Sequence, residues 1–362
     1  MIVVKVGGSV LKKPEDFLYT ARRIREKWVE LNEIPIIVVS AMKGVTDELI
    51  SASLGSMELL ESVEQRYMEV ADELGSRKLA DRVRNEINRV REALKKPCNG
   101  ILRSYVVSLG ERLSRIAMTQ ALEAEGVRAF EVDATDVIVT NSVPDDAIIE
   151  YNITARKLLE LIDLSTRLKA APVIEGFVGA DLNGLVTTLG RGSSDYTATT
   201  IASILGTTAY LVTEVPGIMT ADPAVVPSAR PVEILSYEEA HEAACLGVKG
   251  MNPKAIEPLM MFNSSSVIIG TWDFWGTKIT SRKVKGPKIL CHKGSAISIV
   301  GHGVNSHEFA LKLLRSLEKL SIKVASMEFN ELKPLLKLSA KLEEETKEIL
   351  ARLYDKLFSE VS

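Results

Sequence analysis

The sequence predicts an α/β fold in which helices cover both faces of a mostly parallel, open sheet in three layers, followed by a small α+β domain. Short apolar segments alternate with amphipathic helical segments over residues 1–270, an alternation typical of parallel sheets. Residues 34–40 (IPIIVVS) form a continuous apolar run, which is typical of a parallel strand buried on both faces. The order of elements changes after a basic stretch at residues 282–286 (RKVKG), which indicates a second domain.

The elements of the first domain follow from the spacing of apolar residues. Helical spacing predicts the helices, and short apolar runs bounded by turn residues predict the strands. The turn residues at 96–100 (KPCNG) close a charged, periodic helical excursion at 57–94. We predict strands at 2–6, 34–40, 129–132, 137–140, 171–178, 209–213 and 267–270, and helices at 15–31, 57–94, 105–124, 152–165, 194–205 and 237–246.

The second domain is predicted from the change of order after residue 283. A hairpin of strands at 287–292 and 296–301 precedes a helix at 307–320, strands at 322–329 and 335–340, and a helix at 342–358. Phe309, Leu313, Leu317 and Leu320 form an apolar stripe that we expect to pack on this sheet. The predicted domains are therefore residues 1–283 and 284–362.

Composition excludes several classes of protein. The 362 residues carry a net charge of −3, so we expect no nucleic-acid partner, and no apolar run reaches the length that spans a membrane. The chain opens directly into a strand, which argues against a signal peptide. Its three cysteines are widely spaced and its four histidines lack metal-ligand spacing. These features predict a cytoplasmic protein with reduced thiols and no metal-ligating residues.

The opening segment MIVVKVGGS places a lysine and a glycine turn at the end of a strand. Backbone N–H groups in Gly7-Gly8-Ser9 are unshielded by side chains, so a phosphate can approach them closely. Lys5 can place its ammonium group at the same point. This arrangement suits phosphoryl transfer, in which catalysis is mostly positioning and charge neutralisation. The segment matches neither the Walker A loop (GxxxxGK[ST]) nor the dinucleotide-binding fingerprint (GxGxxG). An ordinary turn after a strand is the alternative interpretation.

A second glycine-rich segment, residues 187–196 (TTLGRGSSDY), leads from a strand into the helix predicted at 194–205. Ser193 or Ser194 can cap this helix, and a helix N-terminus attracts anions. Arg191 offers a planar fork for a carboxylate. Asp195 is a candidate to bind a substrate ammonium group or to orient Lys5. The alternative is a helix N-terminus with ordinary capping.

Two further segments favour a nucleotide pocket. Residues 213–223 (TEVPGIMTADP) follow a buried strand, where open α/β sheets bind ligands. Residues 247–253 (GVKGMNP) follow a helix, and Lys249 in this segment is a candidate to contact phosphate. Contact of Lys249 with the carbonyl groups at the end of that helix is the alternative.

Taken in order, these segments resemble the amino-acid-kinase superfamily, and within it the aspartate kinases, over residues 1 to about 280. TTLGRGSSDYTA at 187–198 is the most specific of them, since the family pattern is TTLGRGGSDYTA. The matching stretches are VVKVGGS (3–9), VVSAMKGVTD (38–47), LGERLS (109–114), GFVGADLNGLVTTLGRGSSDYTA (176–198), TEVPGIMTADPAVVPSA (213–229) and LSYEEAHEAACLGVKGMNP (235–253).

The resemblance implies that the γ-phosphate of ATP is transferred, with Mg²⁺, to the side-chain carboxylate of aspartate, the entry to lysine, threonine and methionine biosynthesis. A carboxylate is ionised at neutral pH, so the reaction needs cations rather than a general base. The resemblance also assigns residues to roles. These are Lys5 between phosphate and nucleophile; Gly7, Gly8 and Ser9 as an amide cradle; Ser40, Ala41 and Thr46 around the acceptor carboxylate; Glu111 for the α-ammonium group; Arg191 for the α-carboxylate; Asp195 for the ammonium group and the lysine; and Thr213, Glu214, Met219, Asp222 and Lys249 on the nucleotide side.

The sequence departs from the family pattern at several positions. Met219 replaces a tyrosine, Ala224 an arginine and Asn252 a histidine, all on the ATP side. Ser193 stands where the family has glycine, and Lys43 adds a cation to a loop of small residues. The three departures on the ATP side bear on nucleotide binding, whereas the pair of Glu111 and Arg191 is kept and suits any zwitterionic amino acid.

Residues 299–329 resemble an ACT domain, the small regulatory module that follows the kinase in this family. The resemblance implies a single module that pairs with a second chain, and hence a homodimer. An amino-acid effector at the loop 303–305 is expected from the same resemblance, and a bare loop is the alternative.

Two other functions stay open at this point. One is a kinase of another amino acid such as homoserine, whose hydroxyl proton Asp195 would accept. The other is a non-catalytic subunit that senses an amino acid. Retention of Lys5, Glu111, Arg191, Asp195 and Lys249 argues against the second.

Overall fold

A computed structural model of the chain describes residues 1–339 and 343–358. The chain forms two compact units, Met1–Glu214 and Val215–Ser362. The predicted boundary between residues 283 and 284 lies inside the second unit and stays a prediction. Within the described part of the chain, every helix is too short or too polar to cross a lipid bilayer.

The first unit alternates strands and helices, as predicted. Its strands are β1 (Ile2–Val6), β2 (Pro35–Val39), β3 (Ala129–Val132), β4 (Ala171–Glu175), β5 (Val178–Ala180), β6 (Val186–Thr188) and β7 (Thr208–Val212). Its helices are α1 (Glu15–Lys27), α2 (Val45–Ser53), α3 (Met57–Glu73), α4 (Arg77–Ala93), α5 (Gly100–Val107), α6 (Leu109–Ala124), α7 (Ala134–Val137), α8 (Tyr151–Leu168) and α9 (Ser194–Leu205).

Five of these strands form a wholly parallel sheet in the order β3-β4-β2-β1-β7. Every residue of β2 and β4 is buried, because helices cover the sheet on both sides. α1 and α6 pack together, with α6 on β2, β3 and β4, whereas α8 and α9 pack together with α9 on β1, β2 and β7. The predicted α/β class is confirmed. β1 leads into the glycine turn at residues 7–9, β2 into the loop at residues 40–44, and β7 into the segment at residues 213–223.

Several predicted boundaries of the first unit are wrong. The excursion at 57–94 is two helices, since the Ser76 side chain accepts the N–H of Leu79 and begins α4. Residues 105–124 are also divided, with α5 ending before Ser108. The strand predicted at 137–140 is instead the end of α7 and two isolated bridges, because Asp133 caps a helix there. α2 and β6 were not predicted.

The second unit has its own strands and helices. The strands are β8 (Ile234–Ser236), β9 (Ser266–Gly270), β10 (Thr277–Thr280), β11 (Ile289–Lys293), β12 (Ala296–Val300), β13 (Ser326–Phe329) and β14 (Leu335–Ser339). The helices are α10 (Tyr237–Cys245), α11 (Glu257–Phe262), α12 (His307–Lys319) and α13 (Glu343–Phe358). β10 pairs with β8 in parallel and with β9 antiparallel.

The last part of this unit is the predicted α+β domain. β11 and β12 form the expected hairpin within an antiparallel sheet of order β11-β12-β14-β13. Leu313 and Leu317 of the predicted stripe are buried in the apolar core beneath this sheet. The strand predicted at 322–329 is confined to β13, and β8, β10 and α11 were not predicted. Residues 340–342, at the ends of two predicted elements, lie outside the described residues.

Candidate functional site

Lys5 and Asp195 meet at the carboxyl end of β1. Lys5 lies within the strand, and Asp195 lies in the first turn of α9. The Lys5 Nζ atom is 2.8 Å from Asp195 Oδ1, and the two side chains are only 14% and 15% exposed. The structure therefore brings together two residues that the sequence separates widely, as expected. The pair places one ammonium group, held by one carboxylate, beside the first glycine turn.

The glycine turn after β1 is closely packed. A Cβ atom on Gly7 would lie 2.9 Å from Lys5 Nζ, and one on Gly8 would lie 2.7 Å from the carbonyl oxygen of Ala41. Both positions therefore exclude a side chain. The N–H of Gly7 donates to the carbonyl oxygen of Val212 in β7 at 3.3 Å. Because that amide already has a partner, the expected cradle is reduced to Gly8 and Ser9, which begin a short 3₁₀ turn (Gly8–Val10).

The loop that joins β2 to α2 carries Ser40, Ala41 and, in the first turn of α2, Thr46. The N–H of Ser40 donates to the carbonyl oxygen of Val6 at 3.1 Å, which fixes the start of this loop beside β1. A Cβ atom on Gly110 would lie 2.7 Å from Ala41 Cβ, so glycine at this position lets α6 contact the loop directly. We call residues 40–46 the acceptor loop.

Glu111 follows Gly110 in α6 and is only 3% exposed. Its carboxylate accepts a hydrogen bond from the backbone N–H of Ala41 in the acceptor loop. Within the described residues its Oε2 atom has no hydrogen-bond partner. Burial raises the pKa of Glu111 to about 8. A buried carboxyl with an oxygen unused by the protein is suited to receive a cationic group of a ligand.

Helix α3 holds the acceptor loop from the other side. The Tyr67 hydroxyl donates to the carbonyl oxygen of Gly110 at 2.8 Å and accepts the N–H of Met42 at 3.3 Å. Arg66 donates to the carbonyl oxygen of Lys43 at 2.8 Å and to Glu48 at 3.0 Å. The helical excursion is thus tied to the acceptor loop by two consecutive side chains.

Arg191 lies on the loop before α9, where it pairs with Asp47 of α2 at 3.2 Å. The two side chains are 76% and 71% exposed, so this ion pair is weak and easily exchanged for another partner. The structure therefore brings Arg191 to the start of α2, next to Thr46.

Thr213 and Glu214 follow β7 in the first unit. Glu214 pairs with Lys12, a residue that the sequence analysis missed, and lies 3.7 Å from Lys43. The hydrogen bond from Lys12 lowers the pKa of Glu214. Because 202 positions separate Lys12 from Glu214, no local pattern could have indicated this contact.

A buried ionic cluster beneath α6 was also missed. Arg115 Nη1 lies 2.5 Å from Glu175 Oε1, and Arg115 also pairs with Glu131 and Asp133 at 3.2 Å. Glu175 is fully buried and accepts the N–H of Ala134 at 2.8 Å. Burial raises the pKa of Glu175 to about 7. This cluster ties the ends of β3 and β4 to the helix that carries Glu111.

In the second unit, one cavity of about 290 Å³ is lined by Met219, Asp222 and Lys249. These are three of the residues expected on the nucleotide side. Asp222 also accepts the N–H of Ala224 at 3.0 Å, and Asn252 accepts the N–H of Lys254 at 2.9 Å. Two of the departing positions, Ala224 and Asn252, therefore take part in local turns.

The chain is similar to a known protein family and to curated proteins. Residues 1–270 match the model of the amino acid kinase family. The aspartokinase of Rickettsia prowazekii is 28% identical over 286 residues, which are 78% of this chain and 55% of that protein. Aspartokinase 3, chloroplastic, of Arabidopsis thaliana is 29% identical over 351 residues, 89% of this chain and 61% of that protein. The chain thus spans between half and two thirds of the length of these curated relatives.

Solved structures share the fold. Aspartokinase III of Escherichia coli in complex with lysine and aspartate superposes with a TM-score of 0.83 at 19% identity, covering 99% of both chains. The same enzyme with aspartate and ADP gives a TM-score of 0.74 at 23% identity, covering 98% of this chain and 84% of that one. The aspartate kinase of Clostridium acetobutylicum gives 0.79 at 18% identity, covering 99% of both chains.

Proposed function

Because the chain belongs to the amino acid kinase family, we propose that it is an aspartate kinase. The reaction transfers the γ-phosphate of ATP to the side-chain carboxylate of L-aspartate and gives 4-phospho-L-aspartate and ADP. The observation that carries this proposal is the Lys5–Asp195 ion pair of 2.8 Å beside the glycine turn. The aspartokinase names of the curated relatives support the choice of acceptor.

The chemistry requires positive charge between two anions. As the acceptor oxygen bonds to phosphorus, the bond to the bridging oxygen of ADP breaks and negative charge spreads over the transferred group. Lys5 neutralises part of this charge, and the N–H groups of Gly8 and Ser9 are placed to donate to phosphate oxygens. Asp195 keeps the lysine ammonium group in position.

Acceptor recognition is assigned to charged groups around the acceptor loop. Glu111 pairs with the α-ammonium group, and Arg191 exchanges Asp47 for the α-carboxylate. Ser40, Ala41 and Thr46 line the carboxylate that is phosphorylated. This arrangement recognises the α-ammonium and α-carboxylate groups of the amino acid and leaves its side-chain carboxylate facing the acceptor loop.

We propose nucleotide-binding residues in each of the two units, and we consider each unit separately. Thr213 and Glu214 belong to the first unit, and the cavity with Met219, Asp222 and Lys249 belongs to the second. The described residues contain no group of three or more His, Cys, Asp or Glu side chains that could hold a metal ion. Mg²⁺ usually takes one or two carboxylates together with substrate phosphates. We propose that Mg²⁺ would be held by the phosphates of ATP, where it would supply charge neutralisation.

The wider role follows from the same proposal. We place the enzyme at the entry to lysine, threonine and methionine biosynthesis in the cytoplasm. The C-terminal ACT-like region, proposed as residues 284–362, would pair with that of a second chain in a homodimer and bind an amino-acid effector.

A panel of acceptors tests the proposal. Purified protein is incubated with ATP, Mg²⁺ and aspartate, homoserine or other amino acids, and acyl phosphate is trapped with hydroxylamine. We expect hydroxamate from aspartate alone. Turnover of homoserine without turnover of aspartate would contradict the assignment, and the absence of both turnover and nucleotide binding would favour an amino-acid sensor.

Glu111 should make acceptor binding depend on pH. Burial raises its pKa to about 8, so at lower pH the carboxyl is largely neutral and must lose a proton before it pairs with an ammonium group. We expect kcat/KM for aspartate to rise about tenfold per pH unit below the pKa and to level off above it. Initial rates at low aspartate and saturating ATP measure this profile. Glu111→Gln should bind aspartate weakly with a flat profile, and an unchanged slope in this variant would assign the titration to another group.

A further inference from the structure

The cavity lined by Met219, Asp222 and Lys249 is also lined by residues from a distant part of the sequence. β11 contributes residues 289–292, and α13 contributes Leu350. Both elements lie beyond residue 283, in the region predicted from the sequence to be a separate regulatory domain. The cavity is therefore lined by elements that the sequence analysis did not connect with the nucleotide.

The loop at residues 219–223 also contributes to the lining of the cavity, and it is hydrogen-bonded to the same two elements. The carbonyl oxygen of Thr220 accepts the N–H of Leu290 in β11 at 2.8 Å. The Thr220 hydroxyl lies 2.8 Å from the Tyr354 hydroxyl of α13, and it accepts the N–H of Arg230 at 3.0 Å. Tyr354 also lies within 3.3 Å of the carbonyl oxygen of Ser228. One threonine thus connects the loop to both elements.

Apolar packing reinforces these hydrogen bonds. Ala221 of the loop and Val226 just after it are 4% and 3% exposed, and they share one apolar core with Leu290 and Leu353, which are fully buried. Because a buried hydroxyl that loses its partner is costly, the contact between Thr220 and Tyr354 resists separation. The loop is therefore held to β11 and α13 by hydrogen bonds and by apolar packing.

We propose that β11 and α13 form part of the nucleotide-binding site, and that Tyr354 positions the loop at residues 219–223 through Thr220. This inference rests on the proposed function, in which the cavity receives ATP. Tyr354 lies outside the residues that line the cavity, so it is a positioning residue and not a catalytic one. Any ligand that displaces α13 from β11 then changes the affinity for nucleotide.

Tyr354→Phe tests the inference, because it removes the hydroxyl and keeps the ring that stacks on Phe358 at 4.6 Å between centroids. We expect the KM for ATP and the Kd for ADP to rise about three- to tenfold, with the KM for aspartate unchanged. Tyr237→Phe is the matched control, since it removes a buried hydroxyl that donates to the carbonyl oxygen of Ser265. This control should leave both values unchanged.

Thr220→Val and the double variant complete a double-mutant cycle. If the contact carries the effect, the double variant should weaken ADP binding no more than either single variant. Calorimetry with ADP and no acceptor separates the two possible failures. Wild-type protein that binds no ADP would overturn the proposed nucleotide site. If Tyr354→Phe binds ADP as tightly as the wild-type protein does, this inference alone is overturned. The same holds if the variant raises the KM for ATP and the KM for aspartate equally.

Discussion

Replacing Lys5 by alanine is expected to lower kcat about 10²- to 10³-fold, while the KM values for ATP and aspartate change by less than about threefold. The ammonium group lies 2.8 Å from Asp195 beside the glycine turn, where the proposed transfer would develop negative charge. An interaction that strengthens in the transition state affects kcat more than substrate binding. Steady-state rates with varied ATP and aspartate measure the effect.

Lys13→Ala is the control for this prediction. Lys13 lies a few positions along the chain, is 70% exposed and pairs only loosely with Glu15 at 3.6 Å. Its loss should leave kcat unchanged. An unchanged kcat in Lys5→Ala would refute the proposed role, and thermal unfolding of both variants shows whether a loss of activity reflects loss of the fold.

Arg115→Met is expected to destabilise the protein by about 3–5 kcal/mol, because it leaves the fully buried carboxylate of Glu175 without its cation. The pKa of Glu175 is already raised to about 7 by burial, above its value in the unfolded chain. The native state therefore binds more protons than the unfolded state between these two values, and stability falls as pH rises through this range. Loss of Arg115 raises the pKa of Glu175 further. The destabilisation should therefore be larger at pH 8, above the folded pKa, than at pH 5, below it.

Urea unfolding followed by circular dichroism measures this loss at both pH values. Glu175→Gln in the Arg115→Met background removes the uncompensated charge and should recover part of the stability. Arg167→Met, which breaks an exposed pair with Asp163, should change stability by less than about 0.5 kcal/mol. Equal small effects at positions 115 and 167 would show that the cluster is not a buried ionic network.

The predicted elements show where local patterns are sufficient. β1, β2, α9 and the hairpin of β11 and β12 were predicted closely, since each has continuous or strictly periodic apolar residues between turn residues. The excursion at 57–94 was not divided correctly, because Gly75, which has a positive φ after α3, and Ser76, which caps α4, were not recognised as a helix end and a helix start. The strand at 137–140 was wrong because apolar residues there fit a strand, whereas Asp133 caps a helix.

The residues of the site likewise fall into those that local segments indicate and those that only distant contacts reveal. Lys5, Gly8, Arg191 and Asp195 stand in short segments that the sequence offers as site candidates, and their proposed roles come from the family resemblance. The contacts of Lys12 with Glu214, of Arg115 with Glu175 and of Thr220 with Tyr354 join residues 202, 60 and 134 positions apart. No local pattern predicts such pairs.

The sequence by itself determined the fold class, and it indicated the glycine turns and charged residues that we propose act on an anion. These depend on side-chain period, on the absence of Cβ atoms in Gly7 and Gly8 and on residue type, all of which are local properties. Only the tertiary structure decided that the Gly7 amide is already occupied, that burial raises the pKa of Glu111 and that β11 and α13 line the cavity beside Lys249. Burial and partner choice depend on which distant segments pack together, and that is a property of the folded chain as a whole.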